Sequence, residues 1–360
     1  MNLLLLATLF LSAPACQTPP APTSVPAHSH QEAETLEGVF DRVHTSVVTI
    51  MTVGQSGLVD QGGKAVLESG IGSGVVVSKD GKIVTAAHVV QTAEEVAVEF
   101  ANGERMIAKI IGSVPAADLA LIQIVDKLPE GVAVAPMGDS DKTRVGGSVF
   151  VIGSPLGISH TLTVGHISAK RAVDLLIPGA DQVVMLQTDA AISKGNSGGP
   201  MFNMKGEVIG IVSSIASRSG GSEGLGFTIA SNVAQTLLLD RDPIWSGLDS
   251  VMLDGALARA FQLPIGRSGA LVQRVAKGSV GERLGILGGT ISATIEGQEI
   301  LLGGDILIEA GGLRVNRKDF FRRFLVKLEK MKPEDEFTVL VLRGGKEKTL
   351  SSTYGDLMAK

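Results

Sequence analysis

Three side chains in this chain have the types and the setting for nucleophilic catalysis. Ser197 lies in Gly195-Asn196-Ser197-Gly198-Gly199-Pro200, His88 in Thr85-Ala86-Ala87-His88-Val89-Val90, and Asp118 opens Asp118-Leu119-Ala120-Leu121-Ile122. A serine hydroxyl is a weak nucleophile until an adjacent base takes its proton. Histidine suits that role, because its ordinary pKa of about 6.5 lets it accept and return a proton near neutrality. A buried carboxylate then orients the imidazole and stabilises its cation. The glycines around Ser197 allow a turn tight enough for the amide N–H groups of Gly195 and Ser197 to meet a developing oxyanion. Losing one such donor typically costs about 100- to 1000-fold in rate. Each piece alone has a plainer reading: a surface turn rich in turn formers, a core histidine, an aspartate opening a strand. The three together, in the order His, Asp, Ser, point to acyl transfer by an activated serine.

The elements that must hold these residues read as strands. Short apolar runs alternate with Gly, Asp and Asn turns at 47–53, 74–78, 83–85, 96–100, 119–125, 148–152 and 207–213, the pattern of a β-barrel domain. A short helix is expected over 36–43 and an exposed, glycine-rich loop over 55–69. With 360 residues the chain exceeds one ordinary domain. Its 45 glycines and 4% aromatic content suit many short strands joined by tight turns. A net charge of −5 argues against nucleic acid as the main partner. The basic run over 314–332 is interleaved with acids and phenylalanines and reads as a helix face. No metal site is read: His28 and His30 stand in a linker.

The first residues read as a targeting segment, 1–15. The apolar stretch 3–11 is far shorter than the roughly 20 residues of a membrane-spanning helix, and Ser12-Ala13-Pro14-Ala15 has the small residues of an export cleavage site. Cys16 is the only cysteine, so no intramolecular disulfide exists. Its position resembles a bacterial lipoprotein box, which implies lipidation of Cys16 and membrane attachment. Ala13 where leucine is usual, and an n-region without Lys or Arg, leave ordinary signal-peptidase cleavage or an uncleaved segment as alternatives. The proline-rich stretch 16–36 reads as an extended tether.

Further motifs surround the three residues. Gly70-Ile71-Gly72-Ser73-Gly74-Val75-Val76-Val77 and Lys79-Asp80-Gly81 precede the histidine. Gly153-Ser154-Pro155-Leu156-Gly157, Thr163-Val164-Gly165, Gln187-Thr188-Asp189-Ala190-Ala191-Ile192 and Gly224-Leu225-Gly226-Phe227-Thr228-Ile229 follow it. Together these resemble the HtrA (Deg) family of serine proteases over about residues 38–350. The resemblance implies an all-β dominated chain: a chymotrypsin-like double β-barrel over 37–240, then an α+β PDZ domain over 243–355. It implies His88, Asp118 and Ser197 as the triad, with Gly195 and Ser197 as the oxyanion donors. By the same token Ala191, Ile192, Ile211 and Ser213 outline a small apolar specificity pocket, suited to cleavage after small aliphatic residues, and Ser213 supports Asp118. Lys194 stands where the family usually has Pro or Arg, which leaves the resting orientation of the oxyanion hole open.

In the C-terminal part, Ser246, Gly247 and Leu248 lie where the family carries its peptide-carboxylate loop. A strand over 249–253 would pair with a bound C-terminal peptide. Ser279-Val280-Gly281-Glu282 has the capping-box pattern. Asn316 is expected to cap a second helix, whose Phe320, Phe321, Phe324, Leu325 and Leu328 form one apolar face. The segment 290–302 reads as an added hairpin with Gly297 at its turn, and 337–350 as a closing hairpin around Gly344-Gly345.

The resemblance implies an ATP-independent endopeptidase of the cell envelope acting on misfolded or damaged polypeptides, with no cofactor. It also implies C-terminal peptides as PDZ partners and a homotrimer built through the region 36–43. A peptide-gated regulatory protease and a non-catalytic chaperone or binding module are the alternatives.

Overall fold

The computed structural model describes residues 34–59, 65–173, 182–215, 222–264, 268–295, 297–315 and 319–359. The expected targeting segment, the tether and Cys16 lie outside these residues, and so does Asn316. Residues 35–360 form one compact unit.

Helix α1 (Leu36–Val43) starts where Thr35 Oγ1 accepts the Gly38 N–H, and it buries Val39 and Val43. Six strands follow: β1 (Val47–Val59), β2 (Ala65–Val76), β3 (Lys82–Thr85), β4 (Glu95–Glu99), β5 (Arg105–Val114) and β6 (Leu119–Ile124). They close into a barrel in the order β1-β2-β3-β6-β5-β4. Side chains alternate along a strand, so Val48 and Ile50 of β1 enter the barrel core with Ile83, Val98, Phe100 and Ile122. Thr49 takes the opposite face and meets Ser154 across 105 residues of sequence, Oγ to Oγ at 2.5 Å. Helix α2 (Ala87–Val90) is a single turn after β3.

The loop expected over 55–69 is instead the two arms of a hairpin. β1 and β2 stay paired from Val47↔Val75 through Gln55↔Leu67, with Val59↔Ala65 beyond an irregularity. Glycine content suggests a loop, but a neighbouring strand in register satisfies the same backbone groups and overrides that preference.

The second barrel uses β7 (Ser148–Gly153), β8 (Thr161–Val173), β9 (Val183–Thr188), β10 (Pro200–Asn203), β11 (Val208–Ile215) and β12 (Gly226–Ala230). They close in the order β10-β11-β12-β9-β8-β7. Phe150 and Phe202 are paired across β7 and β10 and stack with ring centroids 5.1 Å apart. After β12, helix α3 (Ser231–Ala234) continues into one π-helical turn that buries Leu237 and Leu238.

The C-terminal part contains β13 (Leu248–Leu253), α4 (Gly255–Ala260), β14 (Gly269–Val275), α5 (Val280–Arg283), β15 (Ile291–Ile295), β16 (Gln298–Leu302), β17 (Ile306–Ala310), β18 (Leu313–Arg314), α6 (Phe320–Leu328), β19 (Glu336–Arg343), β20 (Lys346–Thr353) and α7 (Tyr354–Met358). Its sheet runs β13-β14-β17-β19-β20, with β18 beside β17. The expected capping box is present with one change. Ser279 Oγ accepts the Glu282 N–H, while Glu282 reaches the Gly278 N–H instead of that of Ser279. Helix α6 begins after Asp319, and Phe320, Phe324 and Leu328 line its inner face. β15 and β16 form the separate hairpin expected over 290–302. Among the described residues, no helix is long and apolar enough to cross a membrane.

Candidate active site

The three candidate catalytic residues come from both barrels. His88 stands on α2, the turn that leaves β3 of the first barrel. Asp118 ends the short 3-10 turn Pro115–Ala117 just before β6, with left-handed backbone at φ 51°. Aspartate is one of the few residues that tolerate this conformation, and the reversal turns its carboxylate back toward α2. Asp118 Oδ1 accepts the backbone N–H of His88 at 3.1 Å, and both carboxylate oxygens lie 2.9 Å from His88 Nδ1. Ser213, from β11 of the second barrel, donates its Oγ–H to Asp118 Oδ2 at 2.6 Å. The carboxylate therefore holds the ring by Nδ1 and leaves Nε2 for proton transfer.

Hydrogen bonding to Asp118 raises the His88 pKa above 6.5, outweighing burial, which pulls the other way. The carboxylate's charge adds to the same effect. The imidazole remains half exposed, at 49% of its side-chain surface, as expected of a base that must meet substrate.

Ser197 sits in a loop whose peptide planes can be followed one by one. Asn196 N–H bonds Ser193 O at 3.0 Å, closing a four-residue turn. Gly195 has φ 101° and Lys194 is not among the positive-φ residues, which identifies a type II turn. Type I and type II turns differ by a flip of the central peptide, here Lys194–Gly195, so glycine at 195 sets which way that N–H points. The next planes are held from outside. Gly195 O accepts Ser73 Oγ–H at 2.7 Å. Asn196 O accepts Gly199 N–H at 2.9 Å, and Ser197 O accepts Ser73 N–H at 2.8 Å. Gly198 N–H reaches Val212 O at 2.7 Å. Among the described residues, the N–H groups of Gly195 and Ser197 have no acceptor in the chain.

This loop packs against the first barrel with no room for side chains. A Cβ on Gly198 would lie 2.1 Å from Thr85 Oγ1 and 2.3 Å from Ser73 O. A Cβ on Gly72 would strike Val89, the neighbour of His88, and come within 3.1 Å of Ser197 O. Close approach of the two barrels at glycine is what brings Ser197 beside α2.

A pocket opens next to Ser197, lined by Ile192, Ser193, Lys194, Ser213, Ser214 and Ile215. Two of the expected pocket residues are elsewhere. Ala191 is exposed, and Ile211 is fully buried in the barrel core. Beyond Val212 the β11–β12 register shifts before Ser214, which breaks the strand's alternation, and Ser214 and Ile215 line the pocket. Ile192 and Ser213 line the pocket. Sequence reading missed Ser214, Ile215 and Ser73, since a bulge and a contact between barrels leave no mark on local periodicity.

The loop Ser246-Gly247-Leu248 lies against α2. Gln91, three residues after His88, donates its Nε2–H to Ser246 Oγ at 2.9 Å and to Leu248 O at 3.0 Å. Gln91 O accepts the Trp245 Nε1–H at 2.9 Å. A second contact links Arg274 of β14 to Ser56 O at 2.9 Å and to Glu68 at 3.2 Å, on the β1–β2 hairpin. No group of metal-ligating side chains occurs among the described residues.

Residues 72–211 match the trypsin-like peptidase domain family. Over 292 residues the chain is 37% identical to a probable periplasmic serine endoprotease DegP-like of Marinomonas sp. (strain MWYL1), covering 79% of this chain and 57% of that protein. Over 242 residues it is 40% identical to the protein so named in Hahella chejuensis (strain KCTC 2396), covering 65% and 50%. The chain thus spans about half the length of the curated relatives it matches. Among solved structures, HtrA-type protease AlgWS227A with decapeptide matches at a TM-score of 0.53 and 26% identity, over 89% of this chain and 97% of that one. HtrA-type protease AlgW with decapeptide matches at 0.50 and 27%, over 89% and 98%. Two closed six-stranded barrels, a histidine and an aspartate from the first meeting a serine loop from the second, and these relatives agree: the chain belongs to the HtrA family of trypsin-like serine proteases.

Proposed function

We propose that this chain is an ATP-independent serine endopeptidase of the periplasm, degrading misfolded or damaged polypeptides after small aliphatic residues. The observation that carries it is the chain of bonds from Ser213 through Asp118 to His88, beside a serine loop in which the N–H groups of Gly195 and Ser197 have no acceptor among the described residues. Ser197 Oγ attacks the scissile carbonyl carbon as His88 Nε2 takes its proton. The carbonyl oxygen becomes an oxyanion and receives the N–H groups of Gly195 and Ser197. Collapse breaks the C–N bond, and the amine leaves with the proton from His88, giving an acyl-enzyme. Water, deprotonated by His88, then releases the acid and restores Ser197.

The pocket supports the substrate class. Ile192 and Ile215 make its walls apolar, with no acidic residue among those that line it. Cleavage after Val, Ala or Ile is expected in peptide-library profiling, and a preference for Arg/Lys or Phe/Tyr would overturn this assignment. The activity is tested by β-casein cleavage with the full chain and with Ser197→Ala. Loss of the nucleophile lowers the rate by about a million-fold when the triad works as a unit. Cleavage that survives the substitution would sink the mechanism, and none by the wild type would sink the activity.

One observation favours a second reading, a peptide-gated protease. The expected carboxylate loop at Ser246–Leu248 is bonded to Gln91, on the turn that carries His88. A general degrader keeps its rate when C-terminal peptides are added, whereas a gated enzyme responds to them. The family resemblance further supports a homotrimer through α1, where Phe40 is half-buried and stacks on His44 at 4.9 Å. Light scattering showing a monodisperse monomer overturns that assembly. Lipidation of Cys16 is the proposed route of membrane attachment, read by mass spectrometry of the mature N-terminus.

A further inference from the structure

The nucleophile loop belongs to the second barrel, yet a single residue of the first barrel holds it on both sides of Asn196. Ser73 lies in β2 and is fully buried. Its backbone N–H donates to Ser197 O at 2.8 Å, and its Oγ–H donates to Gly195 O at 2.7 Å. The same Oγ accepts the Ser154 N–H at 2.9 Å, and its carbonyl accepts Thr85 Oγ1–H at 2.7 Å. All four contacts are within normal hydrogen-bond range.

The two bonds to the loop have a geometric consequence. Gly195 O and Asn196 N–H share one peptide plane, and a trans peptide is rigid. That plane is held at one end by the turn bond to Ser193 O and at the other by Ser73 Oγ. The plane after Ser197 is likewise held by Ser73 N–H and by Val212 O. The backbone N of a serine is bonded directly to Cα and its Oγ is joined to that Cα through Cβ, so Gly195 and Ser197 are referenced to one point on a strand of the other barrel. Both residues have N–H groups with no acceptor among the described residues. Backbone bonding can supply only one of the two ties, and the other needs a hydroxyl at this position.

We propose that Ser73 is a positioning residue for the oxyanion hole, setting the spacing of the Gly195 and Ser197 N–H groups through its side-chain hydroxyl. Ser73 touches neither substrate nor His88; it acts through the loop. The inference rests on the serine-protease reading above. Without the hydroxyl, Gly195 O and Ser154 N–H lose their partner in a buried setting, and the glycine turn is held by one bond instead of two. A misplacement of about 1 Å in such a site costs up to about 100-fold in rate.

The test compares Ser73→Ala with wild type in the full chain, using a peptide substrate and the matching peptide boronate, whose tetrahedral adduct occupies the oxyanion site. Ser231→Ala is the control. Its hydroxyl is equally buried and donates to a backbone carbonyl, Gly138 O, at 2.6 Å, away from the site. Ser73→Ala is expected to lose about 10- to 100-fold in kcat, with KM within threefold and boronate affinity falling in parallel. The acid limb of its pH profile stays in place, because that limb belongs to His88. Ser231→Ala is expected to lower Tm with kcat kept. Ser73→Thr, which keeps the hydroxyl, is expected to recover most of the boronate affinity. Should Ser73→Ala not fold, Ser73→Cys, a weaker donor, takes its place under the same criteria. A folded variant with kcat within threefold of wild type, or a kcat loss without loss of boronate affinity, overturns the proposal. Wild-type cleavage abolished by Ser197→Ala is scored separately, so failure of the protease reading is distinguished from failure of the role of Ser73.

Discussion

Two loops of this molecule offer backbone N–H groups around a positive-φ glycine, and they are held in different ways. In the serine loop, Gly195 has φ 101°, and the flanking peptide planes are tied to Ser73, Ser193 and Val212. In the loop Ser246–Leu248, Gly247 has φ 64° and its carbonyl is tied to Ala276 N–H, but Ser246 and Leu248 are also bonded to the Gln91 side chain at the end of α2. The first loop is fixed by backbone and buried strand, as a site that stabilises a transition state requires, because donors aligned in advance need no reorganisation during reaction. The second is held in part by one amide side chain, through two bonds worth about 1 kcal/mol net each. Rigid preorganisation and exchangeable contact thus mark the chemical loop and the expected binding loop.

Substitutions can break or sharpen this contrast. The largest effect is expected from Asp118→Asn, which in a Ser-His-Asp triad lowers kcat by about ten-thousand-fold through the wrong tautomer. Its pH profile carries a sign as well. Asp118 raises the His88 pKa above 6.5, and catalysis needs the neutral ring, so wild-type kcat/KM falls as pH drops through that raised value. Asp118→Asn moves the residual acid limb to lower pH, and a limb that moved upward would contradict the assignment. Stability runs the other way: the contribution of the charged pair is complete below the unfolded pKa and is lost as pH rises through the folded one.

Next comes Gly198→Ala. Its Cβ would meet Thr85 Oγ1, Ser73 O and Ala86 N, within 2.8 Å in each case, at φ 83°. Overpacking of about 1–3 kcal/mol and left-handed strain of about 1–2 kcal/mol predict a Tm lower by about 5–15 °C, with activity lost. The counterpart in the other loop, Gly247→Ala, meets the Ser279 side chain at 2.1 Å and is expected to disturb the α5 cap while leaving the barrels intact. Equal loss of kcat in the two variants, measured by casein cleavage, would erase the contrast. The smallest effect is expected from Gln91→Leu, which removes the amide contacts at about 1 kcal/mol each. Hydrogen exchange at residues 245–248 should quicken, while the barrel amides keep their protection.

The double barrel was legible in advance from local patterning and from the family resemblance, and the role given to Ser213 came from the resemblance alone. Alternating apolar runs make strands, and a serine between glycines makes a tight turn. The two-residue turn Gly344-Gly345 and the hairpin at Gly297 were legible for the same reason. The pocket was half legible. Ile192 follows from its place before the serine, but Ile211 is buried in the core, and Ser214 and Ile215, beyond a register shift after Val212, line the pocket instead. The arms of the β1–β2 hairpin were read as loop because glycine-rich composition says nothing of a partner strand that is already in register.

Residue types and their order alone point to the groups proposed for the chemistry: a base, its carboxylate and a hydroxyl held by glycines. Their distances are another matter. His88 and Asp118 meet through a left-handed residue, and Ser197 reaches them because Gly72 and Gly198 let the barrels close. Ser73 stands 122 residues from the carbonyl it holds. A hydrogen bond depends on position in space to a few tenths of an ångström, and positions that far apart in sequence are set only when both barrels have packed.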